Sequence, residues 1–432
     1  MQHPVVIIGA GPIGLAAAAH AAERGMDFVV LEAGAEAGAA VGEWAHVRLF
    51  SAWSELVDPA ARRLLDAAGT WTAPDDAAYP TGGEWRTTYL QPLADLLDGT
   101  AGGSVRYGAR VVGVARAGRD LVVDSGREDE PFAVHVEGPA GRERLLGSAV
   151  VDASGTWTQP NPLGADGYPA LGETENAGRI TYGIPDLDDP AVASRYAGRH
   201  VAVAGRGASA QGVLVGLARI ARADPATRVS WLLRRPSAGD AFGGGDNDQL
   251  EERGRLGQAA QAAATGGAVT QVTRFRTESV TAESDGTLTL TSVDGQQVTG
   301  VDEVIVVTGF RPDLGFLSEV RLDLDPALGA ARVLAAQIHP DHHSCGDVAP
   351  HGYRELAQPE PGLYLVGMKS YGRAPSFLAM TGFEQVRSVV AALDGDLEAA
   401  GRVDLVLPET GVCGGAAAFD APDAAGGCCG AA

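Results

Sequence analysis

Lysine is almost absent. Lys369 is the only one in 432 residues, arginine supplies the rest of the 33 basic side chains, and 55 acidic residues leave a net charge of −22. That balance excludes nucleic acid and anionic membrane surfaces as partners, because both are bound through basic faces. Beside so much alanine and glycine, the scarcity of lysine reads as coding bias rather than function. Cysteine is scarce too: Cys345 stands alone, and Cys413, Cys428 and Cys429 fall within the last twenty residues. Four thiols in a chain this long make no disulfide framework, and a cytoplasmic setting with reduced thiols is the expectation. No apolar run is long enough to span a bilayer. The first strand begins almost at once, so no signal peptide is expected. Mean hydropathy near zero and 45% apolar residues fit a globular chain of two or three domains.

What is present begins at Val5-Val6-Ile7-Ile8, a β-branched apolar run that predicts a buried parallel strand. It breaks at Gly9-x-Gly11-x-x-Gly14 and passes into an alanine-rich helix over 15–24 that Gly25 can stop. A second strand, 28–31, ends in Glu32. Each part suits a dinucleotide. Gly9 permits the tight turn, Gly11 lets backbone approach a pyrophosphate, Pro12 opens the helix, and Gly14 lets helix and strand pack closely. The helix N-terminus offers N–H groups and partial positive charge. Glu32 would accept hydrogen bonds from a ribose diol and repel a 2′-phosphate. Trp44, in the polar and aromatic stretch Gly42–Phe50, is expected to line this first site.

The pattern then recurs. Residues 105–146 read as a small antiparallel sheet, and Ala149–Trp157 as an apolar strand ending in small residues that include Gly155. Turn formers at 159–164 mark a domain hinge. A strand at 200–204 runs into Gly205-Arg206-Gly207-Ala208-Ser209-Ala210, a GxGxxA turn, followed by a helix over about 211–221 and a strand at 229–233. This second strand ends in Arg234-Arg235, with no acid. Two guanidiniums suit a 2′-phosphate, which they can clamp bidentately. Two hairpin-like strands are expected over 280–298. Val304–Pro312, with Gly309, mirrors the earlier strand-to-small-residue junction. A strand at 362–367 ending in Gly367 and a long helix over 376–393 follow.

A nucleotide fold interrupted by another resembles the two-dinucleotide-binding-domain flavoproteins, the group holding thioredoxin reductase, glutathione reductase and flavin-containing monooxygenases. The resemblance implies an α/β fold of two Rossmann-like domains. The FAD-binding domain would span 1–163 and 305–395, the NADPH-binding domain 164–304 would be inserted in it, and 396–432 would be a flexible tail. It implies FAD in the first site, NADPH in the second, and a homodimer. No CxxC or CxxxxC pair is present, so the dithiol of the disulfide reductases is missing. Gly42-Glu43-Trp44 and Gly155-Thr156-Trp157 resemble the monooxygenase branch, although the stretch 171–185 lacks that branch's histidine. Gly367–Phe377, Thr381–Arg387 and the cysteine tail resemble flavoproteins of bacterial arsenic-resistance operons, the ArsO type. That likeness implies a monooxygenase acting on a trivalent arsenical. The alternatives are a reductase feeding a metalloid or thiol partner, and a flavin-containing thiol protein that captures or senses arsenite.

The residues themselves nominate further groups. Ser376 and Phe377 begin the long helix, whose N–H groups could face the flavin and stabilise negative charge on it. Lys369, Tyr371 and Arg373 lie on the loop entering it and are candidate catalytic residues, at least one of them expected to touch the flavin, and His351 is a candidate proton donor. Cys413, Cys428 and Cys429 are soft donors suited to a three-coordinate thiophile such as trivalent arsenic. His339, His342 and His343 crowd together with only Asp341 nearby, which reads as a solvated turn and not a metal site.

Overall fold

The computed structural model describes residues 3–243, 245, 248, 250–339, 349–375 and 377–405. All four cysteines, Ser376, His342 and His343 lie outside them. The first strands are Val5–Ile8 (β1), Phe28–Leu31 (β2), Gly103–Arg106 (β3), Arg110–Arg116 (β4), Phe132–Gly138 (β5), Gly141–Gly147 (β6) and Ala149–Asp152 (β7). There follow Ile180–Tyr182 (β8), His200–Ala204 (β9), Arg228–Leu232 (β10), Val269–Val272 (β11), Thr277–Ala282 (β12), Leu288–Ser292 (β13), Gln297–Val301 (β14) and Glu303–Val306 (β15). Leu363–Leu365 (β16) comes last. Contacts divide the chain into two compact units, which exchange at Gln159/Pro160 and again at Phe310/Arg311.

In the first unit a parallel sheet has the order β16-β7-β1-β2-β3. Its central strands β1 and β2 are apolar throughout because both faces are covered, while β7 ends in Asp152 and the edge strand β3 carries Ser104 and Arg106. Val5, Ile7, Val30 and Val151 pack with Leu15, Ala16, Val386 and Val389 of the helices Pro12–Glu23 and Ala379–Leu393. Val6, Ile8, Val29, Leu31 and Val150 face the other way, against Val114, Phe132, Val134 and Val136 of the antiparallel sheet β4-β5-β6. Glu360, almost fully buried, joins this second layer by accepting from Arg116 Nε at 2.7 Å and Arg127 Nη2 at 2.8 Å.

The second unit repeats the plan with the order β11-β10-β9-β15-β8. Val201, Val203, Trp231 and Ile305 meet Val213, Leu214 and Leu217 of the helix Ala208–Ala223. Ala202, Leu232, Val304 and Val306 meet Leu288, Leu290 and Val298 of the antiparallel sheet β12-β13-β14. The α/β fold with Rossmann-like parallel sheets is therefore as the sequence implies.

Several local boundaries differ from expectation. Val105 belongs to β3, at the edge of the parallel sheet, and the antiparallel sheet begins only at β4. The stretch 280–298 contributes to three strands rather than two. The strand read at 304–307 lies between β9 and β8 in the second sheet, so the chain re-enters the first unit at Arg311, six residues past 305. The last long helix starts at Ala379 rather than at 376, because Leu378 stays extended (φ −114°, ψ 149°). Arg24 caps the first helix, and Gly25 (φ +67°) turns the chain out of it.

Two candidate dinucleotide cradles

The first cradle is the turn from β1 into the helix Pro12–Glu23. Gly9 holds φ +99°, a left-handed value that glycine adopts without a Cβ clash, and a Cβ there would stand 2.9 Å from the Ala153 carbonyl oxygen. A Cβ on Gly14 would fall 1.9 Å from the Gly9 carbonyl oxygen, so only glycine lets the helix sit this close to the turn. Gly11 differs from both: nothing lies within 4 Å of its Cβ position. It is also the N-cap residue and provides no side-chain cap, so the first-turn N–H groups are left for an incoming anion. Pro12 follows at the first helical position, where its missing N–H costs no helical bond. Glu32 follows β2 directly and bends back onto the turn, accepting from Ala10 N–H at 2.8 Å and Gly34 N–H at 2.7 Å.

The floor of this cradle is held by charge. β7 ends in Asp152, whose Oδ2 lies 2.6 Å from Lys369 Nζ, with both side chains fully buried. Ser154 closes the triangle. Its hydroxyl donates to Asp152 Oδ1 at 2.6 Å and accepts from Lys369 Nζ at 3.0 Å. Lys369 Nζ also sits 4.3 Å from the centre of the Phe316 ring. Because Ala153 and Ser154 are the backbone neighbours of Gly9, the pair fixes the wall against which the glycine turn is built. Gly155 (φ +68°) then turns the chain, and Trp157 Nε1 donates to Glu43 Oε2 at 2.7 Å. The Trp157 and Trp44 rings stand 6.4 Å apart.

A second polar cluster lies where the chain enters the last long helix. Gln385 accepts from Gly367 N–H at 2.7 Å and donates to Ser370 Oγ at 2.8 Å and His351 Nε2 at 2.9 Å. His351 Nδ1 is 3.1 Å from the Ala349 carbonyl. A ring that donates at Nδ1 and accepts at Nε2 is neutral, and burial lowers the His351 pKa accordingly. The Tyr371 ring stands 5.6 Å from His351 and 5.2 Å from Phe377, edge-on to the latter. Burial raises the Tyr371 phenol pKa well above its ordinary value, so the group stays protonated. Ile13 fills the positions that a Cβ on Gly367 or Gly382 would take, which brings the starts of the two helices together. The helix Ala379–Leu393 also starts without a side-chain cap.

The structure thus brings His351, Tyr371 and Phe377 together, places Lys369 with Asp152 instead, and leaves Arg373 exposed. Asp152, Ser154 and Gln385 were not nominated from sequence. A charged residue ending an otherwise apolar strand, in a chain with one lysine, was the available signal for the first of them.

His351 gives a prediction with a definite sign. A histidine whose pKa is depressed by folding stabilises the fold above its unfolded pKa, and that contribution is lost as pH falls through the folded pKa. Urea midpoints measured from pH 7.5 to 5.0 should fall on the acid side. His351→Gln should flatten that fall, and equal slopes for the two proteins would contradict the assignment.

The second cradle, described by itself, repeats the first. Gly205 has φ +138°, and a Cβ there would meet the Val307 carbonyl oxygen at 2.4 Å. Gly207 is an N-cap with no side-chain cap and nothing within 4 Å of its Cβ position. Ala208 and Ser209 open the helix, Ala208–Ala223. Trp231 Nε1 donates to the Gly205 carbonyl at 2.7 Å and fixes the turn from below. Arg234 and Arg235 follow β10, the first exposed and the second half-buried. Gly309 (φ +90°) closes the far side, where Asn161 N–H donates to its carbonyl at 2.9 Å. Among the described residues no group of three or more His, Cys, Asp or Glu could hold a metal ion, and no helix is long and apolar enough to cross a membrane.

Residues 7–68 match the family described as NAD(P)-binding Rossmann-like domain. No curated protein matches the sequence. Among solved structures, the bacillithiol disulfide reductase Bdr (YpdA) from Bacillus cereus is similar at a TM-score of 0.65 and 19% identity, over 91% of this chain and 99% of that one. The cadaverine monooxygenase DfoA from Erwinia amylovora, bound to FAD, gives 0.63 and 13%, over 95% and 98%. A mutant flavin monooxygenase from Stenotrophomonas maltophilia gives 0.60 and 21%, over 91% and 99%. At these identities the likeness is one of fold, and that fold is the α/β plan of these oxidoreductases, opening on a Rossmann-like NAD(P)-binding domain.

Proposed function

We propose that the chain is an FAD-dependent NADPH oxidoreductase of the monooxygenase type, acting on a trivalent arsenical or another soft nucleophile. The observation that carries this reading is the pair of glycine turns whose middle glycines, Gly11 and Gly207, stand in open space at uncapped helix N-termini. Each leaves room for a pyrophosphate where N–H groups would meet it. The strand beside the first ends in Glu32, which suits the unphosphorylated ribose of FAD. The strand beside the second ends in Arg234-Arg235, which suits the 2′-phosphate of NADPH.

FAD held at the first cradle would supply the hydride-accepting chemistry that links a nicotinamide to an electron acceptor, oxygen among others. The chain's own groups bind and orient. Lys369, Asp152 and Ser154 hold the wall of the first turn, Tyr371 stays a proton-bearing donor, and neutral His351 holds Gln385 rather than supplying a proton. No CxxC or CxxxxC pair stands ready to receive electrons, which favours oxygen as the acceptor. Cys413, Cys428 and Cys429 would capture the arsenical as soft ligands. The likeness to a disulfide reductase favours a second reading, in which electrons pass to a metalloid or thiol partner. A cytoplasmic homodimer is part of the proposal.

Purified protein supplied with NADPH and methylarsenite, with oxygen and NADPH followed together, separates these readings. Oxygen uptake coupled to the arsenical is the expected result. Anaerobic NADPH oxidation when arsenate or a low-molecular-weight disulfide replaces the methylarsenite would transfer the case to the reductase. Tight arsenical binding without turnover would end both in favour of a capture protein.

A further inference from the structure

Beyond the pair Arg234-Arg235, a third arginine is brought to the same strand edge from a distant part of the sequence. β10 and β11 are parallel neighbours whose last paired residues are Leu232 and Val272. The chain stays stitched past that point. Leu233 N–H donates to the Val272 carbonyl, Arg274 N–H to the Arg235 carbonyl, and Phe275 N–H to the Leu233 carbonyl, each at 2.9 Å. The backbones of Arg235 and Arg274 are therefore hydrogen-bonded at the carboxyl end of β10, the edge beyond which parallel α/β sheets bind their ligands.

Arg274 also has an unusual conformation. Its φ is +58°, and every other positive-φ position among the described residues is a glycine. Left-handed backbone is disfavoured for a residue with a long side chain, and glycine would relieve it. Sites that keep such strain are enriched in functional positions. The conformation sends consecutive side chains opposite ways. Phe275 is buried in the core between the two sheets, while Arg274 is exposed at the edge.

We propose that Arg274 is a third specificity-determining residue of the second cradle, recognising the 2′-phosphate of the nucleotide together with Arg234 and Arg235. This rests on the reading of the second cradle as an NADPH site and adds a residue that the GxGxxA turn and its strand do not contain. A ribose 2′-phosphate is close to doubly charged, and each of its three oxygens accepts more than one hydrogen bond, so a third guanidinium adds charge-assisted contacts there that a plain ribose does not offer.

The test uses the full-length protein with 2′,5′-ADP and 5′-ADP as probes, read by calorimetry. Wild-type protein should prefer 2′,5′-ADP. Arg274→Ala should weaken 2′,5′-ADP about tenfold, as for loss of one charge-assisted contact, and change 5′-ADP less than twofold. Arg274→Gly should lose the same affinity while its melting temperature rises, because glycine accepts the left-handed backbone. That combination separates phosphate recognition from a folding defect. Unchanged 2′,5′-ADP binding in both variants, with the wild-type preference intact, overturns the role of Arg274 alone. Wild-type protein with no preference between the probes overturns the NADPH reading and this inference with it.

Discussion

Lys369→Met should cost about 3–5 kcal/mol of stability in the first unit, the usual penalty for stripping one partner from a buried ion pair. The reason is what remains. Asp152 would keep its bonds to the Ser154 hydroxyl and N–H but would face a methionine with a buried charge. Asp152→Asn in the same chain should recover much of the loss, because a neutral amide beside methionine leaves no buried charge unpaired. The double-mutant cycle should therefore show a coupling of about 2 kcal/mol or more between the two positions. Flavin retention should follow stability, since Ala153 and Ser154 form the wall behind Gly9. Chemical denaturation of all four proteins checks this. Additive single and double losses would mean that the pair is not one unit.

Gly11→Ala and Gly14→Ala should fail in different ways, although only two residues separate them. Gly14→Ala puts a methyl 1.9 Å from the backbone oxygen of Gly9, with no flexible side chain to yield. The helix must lift off the turn, and overpacking of this kind costs about 1–3 kcal/mol or more. Stability and flavin affinity should fall together. Gly11→Ala meets no neighbour, and its φ of −78° suits any residue, so stability should change by less than about 0.5 kcal/mol. The methyl would nevertheless occupy the space that a pyrophosphate needs, and flavin affinity should fall by about a hundredfold. Thermal melts beside flavin titrations check both. Gly11→Ala protein that holds flavin as tightly as wild type would show that the open space is not the phosphate site.

Much of the fold was legible because both turns are governed by local rules. Val5–Ile8 had to be a strand buried on both faces, and the spacing of Gly9, Gly11 and Gly14 needed no distant partner to interpret. The repeat at Gly205–Ser209 carried the same information again. What was not legible depends on chain segments meeting in space. Lys369 lies 215 positions from Ser154, and nothing near either residue announces the contact. Arg274 reaches Arg235 only because β11 pairs beside β10. Val304–Val306 read as a return to the first unit, since its pattern copies β7, but a buried parallel strand looks alike in either sheet. The late start of the last helix follows from Leu378, which stays extended where the apolar spacing around it reads as helical.

A flavin in the first cradle would be reduced by a nucleotide held in the second. The most direct test of that transfer is the visible spectrum of the purified protein under anaerobic conditions. A yellow protein with one FAD per chain, bleached by stoichiometric NADPH and far more slowly by NADH, is the expected result. A colourless protein that cannot be reconstituted with FAD would contradict it.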